Sequence, residues 1–102
     1  MEAELKDYAV YKLDSESEEF EELHTEGKLL TNFLNSDSVL IFLDQLSKVL
    51  WLWHGANTTP RLKFIAARKS PNLRDRVAID YKISAIDENR EPERFKLLVG
   101  LK

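Results

Sequence analysis

The sequence predicts an α+β fold in three layers, a single sheet covered by one helix on each face. Three observations carry this reading. Val39 to Leu43 (VLIFL) and Val49 to Trp53 (VLWLW) are continuously apolar, so each reads as a strand buried on both faces and therefore central. Asp44 to Lys48 supplies a short polar turn between them, which makes the pair a hairpin. Two helical patterns follow, one long and one short, and helices on both faces are what a doubly buried sheet requires.

The remaining elements follow in chain order. Tyr8 to Leu13 (YAVYKL) alternates loosely and is rich in strand formers, so a first strand is expected there, with a turn at Asp14 to Ser17. Glu18 to Leu23 (EEFEEL) contains good helix formers but is too short and too acidic on every side to bury a helical stripe. It is expected as an edge strand, with Phe20 separated from the flanking glutamates, whose charges discourage edge-to-edge pairing. After the central hairpin, His54 and Gly55 end the strand. Asn57, Thr58 and Thr59 offer capping oxygens, and Pro60 suits a first helical turn, where no amide hydrogen is needed. A long helix is expected from there to about Lys69, where Ser70 and Pro71 end or kink it, with a further turn at Leu73 to Arg76. Tyr81 to Ile86 (YKISAI) reads as a fifth strand, closed by Asp87, Glu88 and Asn89. Glu91 to Val99 reads as a short final helix, with Pro92 in its first turn and Gly100 near its C-cap.

At 102 residues, with 43% apolar and 10% aromatic content and no internal repeat or linker, the whole chain is expected to form one domain. It has no cysteine, which excludes a disulfide framework, a thiolate nucleophile and a thiolate metal site. Glu2 and Glu4 stand where a secretory signal would carry basic residues and an apolar stretch, and no apolar run approaches the ~20 residues of a membrane span. A soluble, cytoplasmic protein is expected. The net charge is −3, but Met1 to Thr58 holds 12 acids and 4 bases, whereas Thr59 to Lys102 holds 6 acids and 11 bases. Two readings are open: the asymmetry steers a partner to one face, or the two sets interleave on the folded surface.

On a wheel of about 100° per residue, Leu62, Ile65, Ala66 and Leu73 converge on the sheet-facing side of the long helix. Phe64 projects nearly opposite, among Arg61, Ala67 and Arg68. An exposed aromatic flanked by arginines is the kind of anchor that carries interface energy. Catalysis is not expected. His24 and His54 have no nucleophile or metal-ligand partner at a recognisable spacing, Glu18, Glu19, Glu21 and Glu22 read as a solvated surface, and Gly27, Gly55 and Gly100 are too isolated to form a phosphate loop. Arg61, Lys63, Arg68, Lys69, Arg74 and Arg76 crowd one segment around Phe64, which suggests as an alternative a basic helix for acidic lipid or nucleic acid. A pI near 5.4 opposes that alternative.

LIFLD (Leu40 to Asp44), VLWLWHGAN (Val49 to Asn57), a helix containing IAARK, and YKISAIDENREPERFKLLVG (Tyr81 to Gly100) together resemble the gelsolin and villin repeat. In that family an apolar strand ending in Leu-Asp leads by hairpin to a strand ending in Trp, one residue and Gly. A long helix, a strand, and a Glu-Pro with a Phe three residues later follow. Trp53, Gly55, Glu91, Pro92 and Phe95 match in order, and the resemblance spans Val39 to Lys102, about two thirds of the chain. The short chain is similar to the single-repeat gelsolins of Asgard archaea. The resemblance implies a mixed sheet of about five strands between one long and one short helix, and an actin partner, with actin monomers or filament dynamics regulated by sequestering, capping or weak severing. It implies that the long helix lies in the cleft between actin subdomains 1 and 3, which assigns Arg61, Phe64, Ala67, Arg68 and Pro71 to the actin face. Family repeats often hold Ca²⁺ through a carboxylate before the central strand and a Glu early in the long helix. Here the helix position falls at or near Leu62, which cannot ligate, and Asp37 stands near the strand entrance, so the intradomain site reads as degenerate. For a second family site, between repeat and actin, Asp75 is the local candidate.

Overall fold

The computed structural model describes residues 9–101. The central hairpin pairs β3 (Val39–Asp44) with β4 (Val49–His54) in antiparallel register, Leu40 opposite Trp53 and Phe42 opposite Trp51. Because strand side chains alternate, the two apolar runs feed both faces of the sheet. Val39, Ile41, Leu50 and Leu52 enter one core layer, and Leu40, Phe42, Trp51 and Trp53 enter the other.

β1 (Val10–Asp14) and β2 (Glu19–Leu23) extend the sheet on one side, and β5 (Lys82–Asp87) closes the other, giving the order β2-β1-β3-β4-β5. Only β4 and β5 run parallel, so the sheet is mixed. Glu19–Leu23 does form the edge strand expected of it, with Phe20 buried. Tyr8, expected in the first strand, lies outside the described residues, and the strand reaches Asp14 rather than ending at Leu13. Asp14 also makes the following turn, its carboxylate accepting from the backbone N–H groups of Glu16 and Ser17 at 3.4 and 3.3 Å. The link from β2 to β3 passes β1 and contains a short 3-10 helix, Leu30–Phe33, absent from the sequence reading. Leu30, Phe33 and Leu34 pack against the second core layer.

One helix covers each face, as expected. α1 (Pro60–Val77) places Ile65, Ala66 and Leu73 in the first layer, and α2 (Glu93–Val99) places Phe95 and Val99 in the second. Two boundaries refine the sequence reading. Of the two outcomes expected at Ser70 and Pro71, an end or a kink, α1 does not end there: it runs through Pro71 and the further turn at Leu73 to Arg76 as one helix of 18 residues. A proline inside a helix forfeits a hydrogen bond and costs about 3 kcal/mol. The turn beyond it buries Leu73 to 1% exposure and carries the chain to β5, and that burial prevails over local propensity. α2 starts at Glu93, with Pro92 as its N-cap rather than in its first turn, and Gly100 ends it at φ 91°, donating to the Lys96 carbonyl. That left-handed conformation suits glycine.

Phe95 is fully buried and meets Phe42 and Trp51 edge-on, with ring centroids 5.3 and 6.0 Å away. Beside it, Asp44 is fully buried and accepts two hydrogen bonds from the Arg94 guanidinium at 2.8 and 2.9 Å, one from the Trp51 indole at 3.1 Å and one from the Ser47 backbone at 3.2 Å. Burial alone would raise its pKa. The bonds from Arg94, Trp51 and Ser47 outweigh that and bring it down to about 2.

Candidate functional site

The start of α1 is set by two loops locked together. A Cβ on Gly55 would overlap the Ser36 carbonyl, so only glycine lets these backbones approach so closely. Glu88 clamps the same junction, accepting from Ala56 N–H at 2.7 Å and from Ser36 Oγ at 2.9 Å. The helix then begins at Pro60, with Thr59 Oγ1 accepting from the Leu62 backbone at 3.2 Å. Trp53, which precedes this junction, donates its indole N–H to Glu91 at 2.9 Å.

Held in this way, α1 turns Ile65, Ala66, Ser70 and Leu73 inward, with Leu62 half-buried beside them. This is the expected stripe with Ser70 added. The opposite ridge carries Phe64, 64% exposed, with Ala67 exposed and Pro71 half-buried in line with it. The Arg68 guanidinium carbon lies 5.9 Å from the Phe64 ring centroid, within cation–π range. Phe64, Ala67, Arg68 and Pro71 thus form one continuous surface. Arg61 stands on its flank and is engaged: its guanidinium pairs with Glu18 at 3.0 Å. Lys69 pairs with Glu19 at 2.9 Å on the same flank. Here the acidic and basic halves of the chain interleave, which is one of the two readings left open by composition. The roles of Glu18 and Glu19 as partners of α1 were missed by sequence reasoning, although the opposition of EEFEEL to a basic helix was a visible signal for them.

The two candidate calcium residues stand apart in kind. Asp37 is exposed, with its Oδ1 accepting from the Asn57 side-chain amide at 3.1 Å and its backbone N–H donating to Asn35 Oδ1 at 2.8 Å. It lines an open cavity of about 360 Å³ together with Asn35, Ser38 and Leu62. The helix side of that cavity is therefore apolar, and the amide of Asn57 presents N–H to the carboxylate where a hard cation would need oxygen. Asp75 is exposed on the Phe64 side of α1 by helical spacing and pairs with the adjacent Arg74 at 3.3 Å. Among the described residues no group of three or more His, Cys, Asp or Glu side chains is placed to hold a metal ion. No helix among them is long and apolar enough to cross a membrane. His54, one of the two histidines, faces Asp87 through Nδ1 at 3.1 Å.

No protein-family model and no curated protein matches the sequence. Solved structures do. The chain is similar to Thorarchaeota ProGel, from a crystal structure of its complex with rabbit actin, at 26% identity and a TM-score of 0.77, with 91% of this chain and 99% of that one covered. It is also similar to Thorarchaeota 2DGel3, again from a crystal structure with rabbit actin, at 25% identity and a TM-score of 0.65, with 86% of this chain and 43% of that one covered.

Proposed function

From the gelsolin-like fold that the chain shares with these two proteins, we propose that it is an actin-binding module whose α1 ridge docks in the apolar cleft between actin subdomains 1 and 3. The observation that carries the proposal is Phe64: a large aromatic, 64% exposed, on the ridge opposite the buried stripe of the longest helix. Burying such a ring contributes roughly 1.5–3 kcal/mol, and Ala67 and Pro71 leave room for a partner to approach it. Arg68 supplies charge beside the ring, and Arg61 stands at the margin. The chain acts by binding rather than catalysis, in the cytoplasm. A single ridge engages a single actin subunit, so monomer sequestering or end capping fits better than severing. Calcium enters this reading only through Asp75, a lone carboxylate that would supply one or two of the roughly 6–8 oxygen ligands the ion takes, the rest coming largely from actin and water.

Phe64→Ala tests the proposal. The variant keeps its circular dichroism and loses affinity for actin about 30-fold, the equivalent of roughly 2 kcal/mol at an interface anchor. Co-sedimentation and polymerisation assays, each with and without Ca²⁺, read this directly. Unchanged affinity would move the interface off this ridge, and a wild-type chain with no effect on actin in either condition would remove the function.

A further inference from the structure

The β1–β2 turn and the start of β2 meet the basic flank of α1 in two ion pairs. Glu18 is held in place by the β1–β2 turn, at φ 60° with its N–H bonded to the Asp14 carbonyl at 2.8 Å, and its carboxylate meets Arg61 at 3.0 Å. Eight residues further along the helix, a rise of about 12 Å, Glu19 meets Lys69 at 2.9 Å, where the lysine side chain is only 23% exposed. Two turns further on, Glu22 and Arg76 both act on the buried Tyr11 hydroxyl: burial raises its pKa, Glu22 adds to the rise and Arg76 opposes it. Acid therefore meets base directly at two stations, and Glu22 and Arg76 act in opposite senses on Tyr11 beyond them.

α1 carries six cations between Arg61 and Arg76, enough for a helix that would collect phosphates indiscriminately. We infer that Glu18 and Glu19 set the specificity of α1 by holding Arg61 and Lys69, so that the helix refuses phosphate polyanions and leaves its exposed ridge to an apolar protein cleft. The stability of these pairs is not the issue, because exposed ion pairs contribute little. What matters is where the carboxylates stand. A phosphate that reaches Arg61 or Lys69 comes well inside the ~8 Å screening length of Glu18 or Glu19, and repulsion offsets the attraction. Counterion release, which drives binding to polyanions, then has fewer free cations to draw on. The inference goes beyond the actin proposal and holds whether or not the ridge takes actin.

The test uses the full chain and fluorescently labelled inorganic polyphosphate, with anisotropy read across a salt series. The Glu18→Gln/Glu19→Gln variant binds about tenfold more tightly than wild type. Its slope of log K against log salt is steeper by about 1.4, the share of two freed cations on a flexible polyanion. Glu21→Gln/Glu26→Gln changes net charge equally at exposed acids not held by α1, and it stays within about twofold of wild type. Adding Arg61→Gln and Lys69→Gln to the first variant abolishes its gain. Each single variant, Glu18→Gln or Glu19→Gln, carries the same test at about a threefold gain if the double variant is poorly folded. Equal gains in the two double variants, no gain in the first, or wild-type binding already as tight as that of the first would each overturn the inference. Polyphosphate is measured without actin, so this result and the actin result fail separately.

Discussion

The two helices cover the same sheet by different means. α2 has seven residues and is committed to the fold: Phe95 is buried, Arg94 reaches back to buried Asp44, and Glu91, just before the helix, holds Trp53. α1 has 18 residues, packs one apolar stripe inward and leaves an aromatic in water on the other side. Trp53, Gly55, Glu91, Pro92 and Phe95, which carried the family resemblance, all lie outside α1. Each now has a structural task in the second core layer, at the edge of α2 or at the junction before α1. None of them stands on the ridge with Phe64. The landmarks that identify such a domain are the ones that build it, and the residues that meet a partner have to be found separately.

That contrast can be broken by substitution, beginning where the largest effect is expected. Phe95→Ala should cost about 4 kcal/mol in urea denaturation, by cavity formation and loss of two edge-on ring contacts. A loss below about 1 kcal/mol would mean that α2 docks through its polar bonds alone. Arg94→Ala should cost about 3 kcal/mol, because it leaves the Asp44 carboxylate buried without its countercharge. If urea curves of this variant overlay wild type, the clamp is not part of what holds α2.

Acid titration sharpens the same point at a smaller scale. The Asp44 pKa is depressed from 3.8 to about 2, so its contribution is present above the unfolded value and is lost as pH falls through the folded one. The shift corresponds to about 2 kcal/mol, and stability followed by urea midpoints should fall by about that much between roughly pH 4 and pH 2. In Arg94→Ala this component should disappear. The smallest expected effect is that of Phe64→Ala on stability, within about 0.5 kcal/mol, since the ring is largely in water already. A loss comparable to that of Phe95→Ala would show Phe64 to be core and would end the distinction between the two helices.

Much of this architecture was legible before any coordinates. VLIFL and VLWLW announced a central hairpin because only a strand buried on both faces needs an unbroken apolar run. Thr59 and Pro60 marked the start of α1, and helical spacing isolated Phe64 from the buried stripe. Whether α1 ends or only kinks at Pro71 stayed open, because Pro71 is a strong local stop whereas burial of Leu73 against the sheet is not a local quantity. The 3-10 helix at Leu30–Phe33 was missed for a similar reason: it is ordered by packing on the second core layer, and four residues carry too little periodicity to announce themselves.

The amino-acid sequence by itself determined the five strands, the two α-helices and which face of α1 turns away from the sheet, since these follow from spacing within a few residues of chain. Only the tertiary structure decided who holds whom. Asp44 and Arg94 meet across 50 residues, Glu18 and Arg61 across 43, and Trp53 and Glu91 across 38. No periodicity links residues so far apart. Their pairing exists because the sheet order and the two helix positions bring them within hydrogen-bonding distance. That is why the exposed ridge could be read from the chain, whereas the acids that guard its flank could be assigned only from the fold.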